Sequence, residues 1–134
     1  MNVQAVTGSR ERSLEEVKAE FMRRAGRLNP FEDIRREDAE RVLAAIKTLD
    51  KDHWAEAWSK LGLDYEQQGD ARATAGANGH ELAELYMMAF DACRVGRYPT
   101  PNSSGKLAAY QHSLRMTWRS GLSALNSSQT FGSL

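Results

Sequence analysis

Cys93 and the three histidines His53, His80 and His112 are the side chains best suited to covalent or acid–base chemistry, a thiol nucleophile with imidazole bases. Their spacing does not pair them. The histidines fall near different helix starts or faces, and none has the His-x-x-x-His or Glu-x-x-His interval that sets two ligands on one helical face. Cys93 therefore reads as a small buried hydrophobe, and no catalytic residue, metal or cofactor is expected. Ser103-Ser104-Gly105-Lys106 has the composition of a phosphate loop, but no glycine stands at the required distance before it, no hydroxyl residue follows Lys106, and no strand precedes it. A helix N-cap followed by a first turn explains it better. Arg94, Arg97 and Tyr98 form a trio able to grip a carboxylate or phosphate, although cations at a solvated helix C-terminus, where the dipole favours them, are the simpler account.

The elements that must position these residues are helices. With 134 residues the chain has the size of one domain able to bury a real core, and its 18 Lys and Arg balance 18 Asp and Glu. That balance provides no field to attract nucleic acid or an anionic membrane, so neither is expected as a partner. A lone cysteine excludes an internal disulfide framework and fits a reducing compartment, the cytoplasm. No apolar run approaches the roughly 20 residues that span a bilayer, and Met1 to Ser9 has no signal-peptide core.

Ser13 with Glu16 forms a capping box that starts a first helix, expected to run to about Arg27, with Leu14, Val17, Phe21, Met22 and Ala25 on one face. Asn29-Pro30-Phe31-Glu32 repeats the start signals and predicts a turn into a second helix, whose stripe is Ala39, Val42, Leu43, Ile46 and Leu49. Asp50-Lys51-Asp52 caps a third helix with Trp54, Ala57, Trp58, Leu61 and Tyr65 on one face, expected to end near Gly69 before a loose stretch from Asp70 to Gly79. Asn78 with Glu81 opens the fourth and most apolar helix, through Leu82, Leu85, Tyr86, Ala89, Phe90 and Cys93, which is expected to be central. After the proline-stiffened connector Gly96 to Gly105, a fifth helix carries Leu107, Tyr110, Leu114, Met116 and Trp118, and the pattern then dissolves. The expected class is all-α, about five amphipathic helices in a single bundle, with a flexible N-terminus over 1–12, the bundle over 13–120 and a frayed or disordered tail over 121–134.

Two functional readings follow. Trp58-x-x-Leu61-Gly62-x-x-Tyr65 matches the first-helix half of a tetratricopeptide repeat, in which the glycine admits a neighbouring helix, although no second copy occurs. This supports a freestanding TPR-like protein-interaction module. The other reading rests on a family resemblance. Asn29-Pro30-Phe31-Glu32, Asp52-His53-Trp54-Ala55-Glu56-Ala57-Trp58 and above all Tyr86 to Tyr110, with Gly96-Arg97-Tyr98-Pro99-x-Pro101-Asn102-Ser103-x-Gly105-Lys106-x-x-Ala109-Tyr110, resemble the N-terminal helical region of bacterial α/β-hydrolases. The similarity is to the esterase-like group that includes the fermentation-respiration switch protein and pseudooxynicotine-type hydrolases, and covers about residues 12 to 118.

In that group the helices cover a catalytic α/β domain and help to wall its acyl or carbonyl pocket. The resemblance implies a hydrolase cap without catalytic residues of its own, with Tyr86, Phe90, Arg97 and Tyr98 as candidates to face the substrate pocket or the missing catalytic domain. Gly121-Leu122-Ser123-Ala124-Leu125 lacks the second glycine and the preceding strand of a nucleophile elbow, as a truncated chain would. The expected partner is that catalytic domain or another protein. Self-association through an uncovered apolar face is expected of an orphaned cap, whereas an evolved adaptor should stay monodisperse.

Overall fold

Short polar side chains decide where the helices begin. In the computed structural model, which describes residues 12–132 with side chains as far as Leu125, Ser13 Oγ accepts from the Glu16 amide at 3.1 Å and the Ser13 amide donates to Glu16 Oε1 at 2.8 Å. This capping box opens α1, Leu14–Arg24. Asp50 accepts from the His53 amide at 2.9 Å to open α3, Lys51–Thr74. Asn78 accepts from the Glu81 amide at 2.9 Å to open α4, Gly79–Arg97. The second helix, α2, spans Arg36–Ala45, and α5 spans Ser104–Gly132. No strand occurs among the described residues, and the all-α class with five helices holds.

Several boundaries differ from those the sequence suggests. The first helix stops at Arg24 because Gly26 adopts a left-handed φ of +73° and its amide turns to the Phe31 carbonyl. Asn29-Pro30 does not begin a helix. Its neighbours form consecutive turns, Phe31 N–H to Leu28 and Ile34 N–H to Phe31, and α2 starts only at Arg36. The third helix continues through Gly69 and Asp70 to Thr74, so the expected loose stretch contracts to a turn over 75–78 around Gly76, at φ +88°. Gly69 is retained in the helix because the Tyr86 ring lies where its side chain would be, 2.7 Å from an added Cβ. The backbone stays helical past Gly121 to Gly132, with Ser120 and Ser123 buried. Of the expected flexible N-terminus only Arg12 lies within the described residues.

Helices α3, α4 and α5 pack together, with α4 against both of the others, and α2 packs on α1 and α3. Gly62 makes the α3–α4 approach close: an added Cβ there would lie 2.4 Å from Cys93 Sγ and 3.0 Å from the Ala89 carbonyl oxygen. The expected stripes of α2 and α3 are buried at Ala39, Val42, Leu43, Ile46, Trp54, Trp58, Leu61 and Tyr65, whereas Leu49 is exposed. Phe21 binds α1 to this core, its ring centroid 4.8 Å from that of Trp58 and 4.1 Å from that of Phe31.

One acid works against this core. Asp91 is buried on α4 with Arg94 as its nearest cation at 3.5 Å, and burial pushes its carboxyl up to about 6, with Asp33 and Glu32 adding to the rise. Unfolded aspartate releases its proton near pH 4, so between there and about pH 6 the folded chain holds more protons and stability falls as pH rises. Asp91→Asn should therefore stabilise the protein by about 1 to 3 kcal/mol at pH 7 and by much less at pH 4. Urea unfolding at the two pH values checks this, and an equal effect at both would contradict it.

Candidate functional site

The connector between α4 and α5 folds back onto the start of α3. Asp52 Oδ1 accepts from the Gly105 amide at 2.7 Å, and hydrogen bonds from Ser103 and from that amide hold its carboxyl below the usual range. A Cβ on Gly105 would lie 2.7 Å from Asp52 Oδ1 and 3.0 Å from its Cα, so the glycine is what admits the contact. Ser103 Oγ accepts from the Lys106 amide at 3.2 Å, the N-cap expected of this run. Lys106 itself is buried: its ammonium donates to the Tyr98 carbonyl at 2.8 Å and so ties the two ends of the connector together. Burial and the charge of Lys51 lower its pKa.

This fold-back closes one side of a cavity of about 320 Å³ walled by Phe21, Phe31, Trp54, Tyr98, Pro99 and Lys106. The Tyr98 ring stands edge-on to Phe31 at 5.3 Å, and Trp54 meets the Phe21 ring edge-on at 6.0 Å while its indole N–H donates to the Val95 carbonyl at 3.0 Å. Arg12, Glu20, Arg24 and Lys51 also line it. Glu20 is committed to Arg23 and Arg24, whose hydrogen bonds hold its carboxyl at about 2. Aromatic walls, a cationic rim and a size at the small end of ligand pockets suit a small apolar compound carrying a carbonyl or anionic group. No serine, cysteine or histidine is among the lining residues, and Lys106, an amine that reaches the cleft, is committed to the Tyr98 carbonyl.

The four sequence-nominated residues do not converge. Tyr98 alone lines the cleft. Arg97 lies over the Tyr110 ring at 5.4 Å, and Phe90 carries the Arg94 guanidinium at 5.9 Å. Arg94 donates to the Pro30 carbonyl at 2.9 Å, so it neither joins Arg97 and Tyr98 in an anion grip nor sits as a solvated terminal charge. Tyr86 is buried twelve residues before Tyr98, about 18 Å away along the helix axis.

Tyr86 belongs to a second cluster that spans three helices. Glu66 on α3 accepts from Arg115 at 2.8 and 3.0 Å and from Arg119 at 2.6 Å. Arg119 also pairs with Asp70, donates to Tyr86 Oη at 3.0 Å and lies 4.5 Å above its ring, while Tyr86 Oη donates to Asp70 at 2.7 Å. Burial raises the Glu66 pKa, but the hydrogen bonds and charges of the two arginines outweigh it and hold the carboxyl below its ordinary range. Every charge in the cluster is matched, which makes it a structural clamp.

Phe21, Phe31, Trp54 and Lys106 were not nominated from sequence as site residues. Lys106 carried a usable signal, since it shares a helical face with Ala109 and Ser113, and a lysine on an inward face needs an internal acceptor. The remaining chemical candidates stay apart. His53 Nε2 accepts from the Lys47 amide, His80 pairs loosely with Glu84 at 3.7 Å, and burial lowers the pKa of His112. No three His, Cys, Asp or Glu side chains among the described residues could hold a metal ion, and no helix among them is long and apolar enough to cross a membrane.

Cys93 is fully buried against Gly62, and burial pushes its thiol up to about 12. The native protein at pH 8 should react with an aromatic disulfide reagent only as fast as it unfolds, whereas a urea-denatured sample should label at once. Rapid native labelling would contradict this placement. No family model, curated protein or solved structure matches the chain.

Proposed function

We propose that this chain is the helical cap portion of a cytoplasmic α/β-hydrolase acting on an ester or carbonyl compound, supplying walls to the substrate pocket and none of the reacting atoms. One observation carries the reading. The three segments that bear the family resemblance, distant in sequence, meet around one cleft: Phe31 from the first, Trp54 from the second, and Tyr98, Pro99 and Lys106 from the third. They are also joined directly, through Asp52 to Gly105, Arg94 to Pro30 and Trp54 to Val95. The buried free thiol Cys93 fits a reducing cytoplasm.

A second reading, a TPR-like interaction module, is supported by Gly62, which admits α4 at close range as the repeat pattern requires.

Ligand binding separates the two. Acetophenone, a stable carbonyl analogue of an aryl ester, should shift the NMR signals of the Trp54 indole N–H and the Tyr98 and Lys106 amides, and Tyr98→Ala should weaken its binding about tenfold, a loss of roughly 1.4 kcal/mol. The chain alone should hydrolyse p-nitrophenyl acetate no faster than buffer. No shift at millimolar ligand would remove the cap reading, and turnover would reveal a catalytic site where none has been placed.

A further inference from the structure

The last helix presents its large apolar residues to solvent and its small ones to the bundle. Lys106, Ala109, Ser113, Met116, Ser120 and Ser123 face inward and are buried. Leu107, Leu114, Trp118, Leu122 and Leu125 lie on the opposite side, with Trp118 69 %, Leu125 53 % and Leu114 52 % exposed. At 100° per residue these five fall within an arc of about 80°, in a stripe roughly 27 Å long. The rotation is fixed from within: Ser120 Oγ donates to the Ala83 carbonyl at 2.9 Å, Lys106 is held by Tyr98, and Arg115 and Arg119 are held by Glu66.

We infer that this stripe is a dimer interface, in which α5 pairs antiparallel with α5 of a second copy. Positions 107, 111, 114, 118, 121 and 125 follow alternating four- and three-residue steps, the spacing of a coiled-coil seam, with Leu or Trp at four of them and Gln111 and Gly121 at the others. In an antiparallel pair centred between residues 119 and 120, Trp118 lies over Gly121 of the second copy and Leu114 over Leu125 of the second copy. The largest side chain thus meets the smallest. A Cβ on Gly121 would touch nothing within 4 Å, so the space above this glycine is open to receive an indole.

Charge is compatible with self-pairing. Helix α5 contains no Asp or Glu, and its cations Lys106, Arg115 and Arg119 are each bound to acceptors on their own bundle. Its outer face offers an acidic or basic partner nothing to read, whereas an identical uncharged stripe meets no like charge. The five side chains expose on the order of 500 Å² per copy, so a pair buries at most roughly 1,000 Å² from them, where specific interfaces begin. The pairing leaves the proposed ligand cleft uncovered, since the cleft lies at the connector and the stripe along the outer side of α5.

Sedimentation velocity of the full chain should show a dimer that dissociates in the micromolar range, and Trp118→Ser should leave a monomer at 100 µM with unchanged helical circular dichroism. Gly121→Ala should weaken the dimer at least tenfold by filling the recess while raising the melting temperature of the monomer through better helix propensity. Oxidative cross-linking tests the direction: a mixture of Leu114→Cys and Leu125→Cys chains should link, and neither variant alone should. A monomer at 100 µM, or linking by Leu114→Cys alone, would overturn the proposal, the first leaving the stripe to a different partner and the second making the pair parallel.

Discussion

Glu66 accepts hydrogen bonds from Arg115 and Arg119 at the junction of α3 and α5, and the orientation of the last helix depends on that contact. Burying a carboxylate is costly, and two guanidiniums in close, partly bidentate contact are what keep it ionised there. Because Arg115 and Arg119 are one turn apart, anchoring both to one carboxylate fixes the rotation of α5 about its axis. That rotation places Ala109 and Ser120 against α4, where their small size lets the helices approach, and turns Trp118 and its leucines outward. Tyr86 completes the arrangement by linking Arg119 and Asp70 above the space left by Gly69.

At the other end of the bundle, the connector does the corresponding work for the cleft. Its six residues between α4 and α5 are held at one side by Asp52 and at the other by Lys106, so Tyr98 and Pro99 stand as a wall beside Phe31. Each of these anchors is a polar group satisfied by backbone, which places the aromatic rings by geometry. The two ends are coupled through α4, whose N-terminal half carries Tyr86 and whose C-terminal half leads into Tyr98.

Much of the fold was legible in local chemistry. Ser13 with Glu16, Asp50 and Asn78 mark helix starts because their oxygens satisfy orphan amides, a contact that involves only residues three apart. The stripes of α2 and α3 were legible for the same reason, since periodicity reports one face of one helix. Long-range packing was not. Gly69 looks like a helix end until Tyr86, sixteen residues on from Asp70, is laid over it. Hydrophobicity alone would turn Leu114 and Trp118 of α5 into the core, and the polar anchors of the helix, above all the pairing between Glu66 and arginines some fifty residues away, reverse that choice. Of the candidate site, Tyr98 was found because it sits in an unusual connector. Phe31 and Trp54 were hidden because each doubles as a core residue, and only the fold brings them to one opening.

The most direct test of the clamp is a double-mutant cycle between Glu66 and Arg115, measured by urea unfolding of Glu66→Gln, Arg115→Gln and the double variant at pH 7. If the pair sets α5 in place, the two substitutions should couple by about 2 kcal/mol, with the double variant little worse than either single one. Independent effects, with coupling under about 0.5 kcal/mol, would mean that apolar packing alone orients the helix and that the clamp is incidental.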